Sequence, residues 1–296
     1  MKKTIFRGVA TALVTPAKAD GSPDLSAYAR LIDDQIKDGI NALVSCGTTG
    51  EAATMTAREY DEVISVAAQA NDHRVPLIVG TGSNDTATAI VRTRRAAQLG
   101  ADAALVVTPY YNKATQKGLI KTFETIADSS PVPLILYNVP SRTGIGIQPE
   151  TYAVLAEHPN IFAIKEANGD ISAIAQTMAL VRGKLDLYSG NDDQIVPILA
   201  LGGQGVISVL SNPLPKKTCE ITKRFFAGDL EGATKLQLEL LPLIKALFME
   251  VNPIPAKAAM AALGYGENAL RLPLTKMEDA HFEVLKARMR EEGIKV

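Results

Sequence analysis

Eight short apolar runs, each followed by an amphipathic stretch, recur from the start of the chain to about residue 229, and this alternation limits the fold more than any other feature. The runs are Val9–Thr15, Ala42–Cys46, Leu77–Gly80, Ala103–Thr108, Leu134–Asn138, Ile161–Lys165, Leu185–Ser189 and Gly205–Val209. They are rich in Val, Ile, Leu and Ala and barely alternate with polar residues, as strands covered on both faces do. Between them lie helical patterns with start and stop signals. Thr56-Ala57-Arg58-Glu59 reads as a capping box, Asp170 precedes the stretch 171–181, and Gly39, Gly100 and Gly183 sit where helices end. Strand–helix units repeating at intervals of roughly 25–30 residues predict a (β/α)8 barrel, the TIM-barrel architecture. An open doubly wound sheet is the alternative. It usually carries a glycine-rich fingerprint after its first strand, where this chain has Val14-Thr15-Pro16.

A barrel of this kind takes about 250 residues, and the chain has 296. The expected division is a barrel over 1–229 and a helical appendix over 230–296 packed on it. Residues 230–248 are strongly apolar with helical spacing, Pro253 and Pro255 suit a helix start before 256–263, and Thr275-Lys276-Met277-Glu278 reads as a second capping box.

Charge decides which partners to exclude. With 31 basic and 32 acidic side chains the net charge is −1, so no dense basic face is expected for nucleic acid or an anionic membrane. No run approaches the ~20 uninterrupted apolar residues of a membrane span. Cys46 and Cys219 are too few for a disulfide framework and belong to no zinc-ligand pattern. Lys2, Lys3, an apolar stretch and Ala17-Lys18-Ala19 imitate an export signal, but Arg7 and Gly8 interrupt the apolar run before Pro16. A reducing cytoplasm is the expected compartment.

In such barrels the chemistry sits at the C-terminal ends of the strands. There the second run leads into Gly47-Thr48-Thr49-Gly50-Glu51, the fourth into Pro109-Tyr110-Tyr111-Asn112, and the fifth into Tyr137-Asn138-Val139-Pro140-Ser141-Arg142. The sixth delivers Lys165-Glu166, the seventh Ser189-Gly190-Asn191-Asp192, and the eighth Ile207-Ser208.

Lys165 is the sharpest single signal. By period-two alternation it shares a face with Ile161 and Ala163, so its amine is expected largely out of water. A buried ammonium is costly and must find a partner or lose its proton, and only the neutral amine attacks a carbonyl. An ion pair with Glu166 is the competing fate. Tyr137, one strand earlier, is placed to move protons, with Thr48 and Tyr111 as hydroxyl partners. Each tyrosine could equally be a packed ring with a satisfied hydroxyl. The turn 47–50 offers consecutive backbone N–H groups that suit a small carboxylate, and the planar fork of Arg142 can hold another, although a solvated arginine is the commoner outcome. His73, His158 and His281 all fall on expected helices or their ends, away from this rim, which disfavours a metal-dependent aldolase or a Ser-His-Asp hydrolase. Asp192 and Asp193 make a poor metal site and are expected to cap the helix that follows.

Taken together, Gly-Thr-Thr-Gly-Glu at 47–51, Thr-Pro-Tyr-Tyr-Asn at 108–112, Tyr-Asn-Val-Pro-Ser-Arg-Thr-Gly at 137–144, Ile-Lys-Glu-Ala at 164–167, Ser-Gly-Asn-Asp at 189–192 and Gly-Val-Ile-Ser-Val at 205–209 resemble the dihydrodipicolinate synthase (4-hydroxy-tetrahydrodipicolinate synthase) family over nearly the whole chain. The resemblance implies condensation of pyruvate with aspartate semialdehyde on the diaminopimelate–lysine route, through a covalent lysine imine with no metal or other cofactor. It implies Lys165 as the Schiff-base lysine. Tyr137, Thr48 and Tyr111 would form a proton relay, Tyr111 reaching in from a neighbouring subunit. Thr49 and the backbone around it would take the pyruvate carboxylate, Arg142 the semialdehyde's carboxylate, and the main chain at Gly190 and Ile207 the remaining wall. A homotetramer built from tight dimers, or a homodimer, is implied as well.

Sister enzymes acting on N-acetylneuraminate or 2-keto-3-deoxy sugar acids keep the lysine and tyrosine but generally lack the Thr-Thr pair and the arginine, and this chain has both. Its departures fall where lysine-inhibited relatives clamp the regulator. Asn84 and Tyr110 fit that pattern, but Ala52, Ala57, Tyr60 and Thr88 stand where a serine, two histidines and a glutamate are common. Without the glutamate a bound lysine loses its cationic partner. Two further readings compete. A phosphate-handling barrel is suggested by Gly190, Gly202, Gly203 and Gly205, and a barrel reduced to ligand sensing would need no imine lysine.

Overall fold

A computed structural model describes residues 2–296. Eight strands, β1 (Gly8–Ala12), β2 (Ala42–Ser45), β3 (Leu77–Gly80), β4 (Ala103–Val107), β5 (Leu134–Asn138), β6 (Ile161–Glu166), β7 (Asp186–Ser189) and β8 (Gly205–Ser208), form a closed parallel barrel in sequence order. Closure runs from Gly8 opposite Gly205 to Thr11 opposite Ser208. A Cβ on Gly205 would lie 1.8 Å from the Gly8 carbonyl oxygen, so only glycine lets these two backbones meet. The doubly wound alternative is therefore excluded.

Strand residues divide by alternation into two cores. Ala10, Ala42, Ile78, Leu105, Ile135 and Ala163 pack with Tyr137, Tyr188 and Ile207 inside the barrel. Phe6 and Tyr188 plug its N-terminal end, their rings stacked with centroids 4.1 Å apart, and the Tyr188 hydroxyl donates to the Phe6 carbonyl at 2.7 Å. Outward-facing Val9, Leu43, Leu77 and Val206 pack beneath the helices in one outer core, and Leu136, Ile164 and Leu187 do so in another.

Several boundaries differ from the sequence pattern for identifiable reasons. The first run continues past β1 in extended form only to Pro16, Leu13 still donating to Val44 O at 3.0 Å. The capping box at Thr56 and Glu59 forms as read. That at Thr275 does not. The last helix starts at Asp279, and the Glu278 N–H donates at 3.0 Å to Glu250, a carboxylate from another segment. The apolar stretch 230–248 is two helices, Leu230–Glu239 and Leu241–Leu247, the second carrying Pro242, which has no N–H to continue a helix. Their buried Leu240, Leu243, Ile244 and Leu247 share a core with Leu13 and Val14 of the barrel wall. No helix of the described residues is long and apolar enough to cross a membrane.

Asp192 caps no helix. Its Oδ2 accepts from the backbone N–H groups of Val209 and Leu210, both at 2.9 Å, tying the loop after β7 to the end of β8. Burial raises its pKa, opposed by these donors and by Ser208.

Glu166 does not pair with Lys165 either. It faces the helix layer and is buried. There the Asn138 amide donates to both carboxyl oxygens (3.0 and 3.1 Å), Tyr152 donates to one at 3.0 Å and the Asn168 N–H to the other at 2.9 Å. Burial outweighs these donors and pushes the carboxyl up from 4.5 to about 7. A raised folded-state value means that folding favours proton uptake here. The stabilisation is complete below the ordinary value of 4.5 and is lost as the pH rises through about 7. In urea unfolding from pH 4.5 to 7, wild type should lose about 3 kcal/mol relative to Glu166→Gln. Parallel pH profiles for the two proteins would refute that account.

Candidate active site

Tyr137 and Lys165 face each other in register across β5 and β6, with Tyr188 on β7 completing the row. Alternation turns all three side chains into the barrel. Tyr188 points to the plugged end, and Lys165 lies beneath the C-terminal rim. Its side chain is 7% exposed, its Nζ lies 4.2 Å from the centre of the Tyr137 ring, and among the described residues it makes no ion pair. The ring face offers weak attraction to a cation and no proton acceptor.

A cavity of about 180 Å³ opens above the amine, walled by Lys165, Tyr137, Thr48, Thr49, Gly190 and Arg142 together with Asn252 and Phe248 from the C-terminal segment. That volume has room for a small organic acid. A larger space of about 370 Å³, mostly apolar and reaching Tyr110, Arg92 and Leu274, continues from it past Thr48, Tyr137 and Arg142. The site is thus a recessed amine beside a phenol, a small chamber and a wide mouth, an arrangement suited to covalent capture of a small carbonyl compound.

The polar residues of the rim take distinct places. Thr49 is 3% exposed and its Oγ1 accepts from Asn252 Nδ2 at 3.0 Å, whereas Thr48 is exposed at the mouth. Arg142 stands on a single helical turn, Pro140–Thr143, and its Nη2 donates to the Asn252 carbonyl at 3.0 Å, leaving guanidinium N–H groups toward the chamber. The Gly190 N–H donates to Glu166 O at 2.7 Å, and an added Cβ there would come within 2.7 Å of Ala167 Cβ. Ile207 is 1% exposed in the interior core and its side chain is not part of the chamber wall. Tyr111 is not brought to the amine within this chain: it is 90% exposed, on left-handed backbone at φ 73°.

Other nucleophiles are disarmed. Burial pushes the Cys46 thiol up to about 12, so it stays protonated. His158 pairs with Asp128 at 3.0 Å and His281 with Glu250 at 2.8 Å, both away from the chamber. Among the described residues no three His, Cys, Asp or Glu side chains converge as a metal site.

The C-terminal contribution escaped sequence reasoning. Asn252 holds Thr49 with its side chain and Arg142 with its carbonyl, and its Oδ1 is buried without a hydrogen-bond partner. The one signal available was its place before Pro253, which reads only as a helix start.

Comparison with known proteins agrees with this geometry. The model of the dihydrodipicolinate synthetase family matches residues 5–292. A 4-hydroxy-tetrahydrodipicolinate synthase from an Exiguobacterium strain is 55% identical over 273 residues, 92% of this chain and 93% of that protein. The crystal structure of dihydrodipicolinate synthase from Thermotoga maritima superposes with a TM-score of 0.96 at 43% identity, covering 99% of this chain and all of that one. The chloride-inhibited Acinetobacter baumannii enzyme in complex with pyruvate does so with a TM-score of 0.96 at 41% identity, covering 99% and 100% of the two chains. Barrel and C-terminal segment alike fall within these matches, and the chain belongs to the dihydrodipicolinate synthetase family.

Proposed function

We propose that the chain is a 4-hydroxy-tetrahydrodipicolinate synthase, a lyase of the class I aldolase type that condenses pyruvate with L-aspartate 4-semialdehyde in diaminopimelate and lysine biosynthesis. The observation that carries this reading is Lys165, a residue 7% exposed and, among the described residues, without an ion-pair partner, at a chamber of about 180 Å³. The same-family enzyme from Acinetobacter baumannii binds pyruvate, and the Exiguobacterium relative carries the synthase name, which favours this reading over a sugar-acid aldolase.

The chemistry follows from the layout. The Lys165 amine adds to the keto carbon of pyruvate, and the carbinolamine loses water to give an imine. Loss of a methyl proton makes an enamine, whose carbon attacks the aldehyde of the second substrate. Each step moves a proton, and the Tyr137 hydroxyl, adjacent in register, is the group that carries it, through Thr48 at the mouth. The carboxylate of pyruvate sits against Thr49 and its turn, with the main chain at Gly190 and Ile207 as the remaining wall. Arg142 takes the carboxylate of the semialdehyde. The imine itself supplies the electron sink, so the reading requires no metal or other cofactor, and it places the reaction in the cytoplasm.

Tyr111 completes the relay from a neighbouring subunit, in a homotetramer of tight dimers or a homodimer. Its support is an aromatic side chain left 90% exposed on strained left-handed backbone, which a free surface does not explain.

Lysine feedback is weak or absent in this reading. Tyr60, where inhibited relatives commonly carry a histidine, is buried and donates its hydroxyl to the Gly80 carbonyl at 2.8 Å, while Thr88 is engaged by the capping carboxylate of Asp85. Inhibition assays should show little effect of lysine at sub-millimolar concentration, and strong inhibition in that range would contradict this.

Pyruvate with borohydride should leave a reduced adduct on Lys165 in peptide mass spectra, and Lys165→Ala should lose it. Tyr137→Phe should still bind pyruvate but turn over slower by on the order of 10²–10⁴. An unmodified Lys165 after reductive trapping would end the proposal.

Mixing inactive Lys165→Ala with Tyr111→Phe should restore activity, since each heterodimer holds one intact site. With free subunit exchange the recovery should approach roughly a quarter of wild type. No recovery in verified heterodimers would show that Tyr111 does not act across subunits.

A further inference from the structure

Outside the machinery above, among the described residues, lies an ion pair largely shielded from solvent. Lys257 Nζ meets Glu51 Oε1 at 2.5 Å, with side chains 5% and 9% exposed. Neither residue walls the chamber over Lys165. Glu51 is the last residue of the Gly47-Thr48-Thr49-Gly50-Glu51 string, and Lys257 lies on the helix Ile254–Ala262 of the C-terminal segment.

Two features make this contact more than a staple between segments. The turn is bracketed by non-glycine residues in left-handed backbone, Cys46 at φ 53° and Glu51 at φ 57°. Such conformations cost energy and persist only where the surroundings over-determine them. At Cys46 a buried side chain fixes the backbone. At Glu51 the charge pair anchors the side chain, beside backbone hydrogen bonds from Glu51 N–H to Thr48 O and from Thr54 N–H to Glu51 O, each 3.1 Å. The second feature is that Lys257 works beside Asn252, five residues earlier, which grips Thr49 Oγ1 and the Arg142 guanidinium, each at 3.0 Å. The stretch 252–257 therefore holds the turn at two points and Arg142 at a third. Stability alone is a poor reason for such a pair, because two apolar side chains of similar size would often serve as well or better. What an ion pair adds is direction and a fixed distance.

We infer that the Glu51–Lys257 pair is a positioning device that sets the Thr48-Thr49 turn over Lys165 and so fixes the affinity for the keto acid's carboxylate. This rests on the proposed placement of that carboxylate at the turn. The two residues touch no substrate and transfer no proton. Their effect falls on pyruvate capture more than on the later carbon–carbon bond step.

The test uses the full-length protein with Lys257→Met, Lys257→Arg and the double variant Glu51→Gln/Lys257→Met, following borohydride trapping at Lys165 and steady-state turnover against pyruvate concentration. Lys257→Met leaves a buried carboxylate without its partner and could fail to fold, whereas the double variant leaves no charge behind. In the double variant the pyruvate concentration for half-maximal trapping, and KM for pyruvate, should rise about tenfold or more, the worth of one well-placed hydrogen bond to a charged group. Its kcat at saturating pyruvate should stay within about threefold of wild type, and Lys257→Arg should recover much of the loss. A double variant that folds and keeps the wild-type dependence on pyruvate would overturn the inference. So would one whose kcat falls while KM stays unchanged. Wild-type protein that is not trapped at Lys165 would instead overturn the reading on which the inference stands.

Discussion

The alignment of β5 and β6 places a phenol over an amine. Tyr137 lies opposite Lys165, and the next residues, Asn138 and Glu166, lie opposite each other on the outer face. Because strand side chains alternate, a slip of one residue would swap the faces, sending the amine under the helices and a carboxylate into the chamber. The Asn138 amide, bonded to both oxygens of Glu166, makes that slip costly, and Tyr152 and the Asn168 N–H add to the same carboxylate. The pairing that sets Tyr137 beside Lys165 inside is held by a polar cluster outside.

That arrangement also accounts for the isolation of Lys165. The nearest carboxylates on its own and the following strand connection, Glu166 and Asp192, are both occupied by donors, the first from β5 and the loop after β6, the second from the backbone of Val209 and Leu210. Neither closes an ion pair with the amine. A lysine buried beside two engaged carboxylates keeps a chamber that water or a small acid can enter.

Much of this was legible in the sequence because barrel strands announce themselves locally. Eight apolar runs gave strand order and hence which residues share the rim, and alternation along 161–165 predicted a recessed amine. What local pattern could not give was pairing between distant segments. The expected cap at Asp192 follows a sound rule about helix starts, but in three dimensions two unpaired N–H groups at the end of β8 lie closer and take the carboxylate. Likewise Thr275-Lys276-Met277-Glu278 has capping-box letters, yet Glu250 supplies the bond instead. In both cases a contact across 17 or more residues won over a local one, and nothing within a short window could signal it.

The C-terminal segment is the strongest instance. Its apolar helices read as cover for the barrel, and they are that, sharing a core with Leu13, Val14 and Val209. Yet the loop between them, Phe248–Pro253, also walls the chamber and its mouth. The turns that follow the strands lie beyond the barrel wall and can take contacts from distant parts of the chain. Thr49 sits on such a turn, and the hydrogen bond that fixes it comes from Asn252, 203 residues away. The C-terminal segment therefore contributes directly to the chamber. Eight strands supply the amine and the phenol, while a segment added after the eighth unit holds still the Thr49 turn at the wall of the chamber.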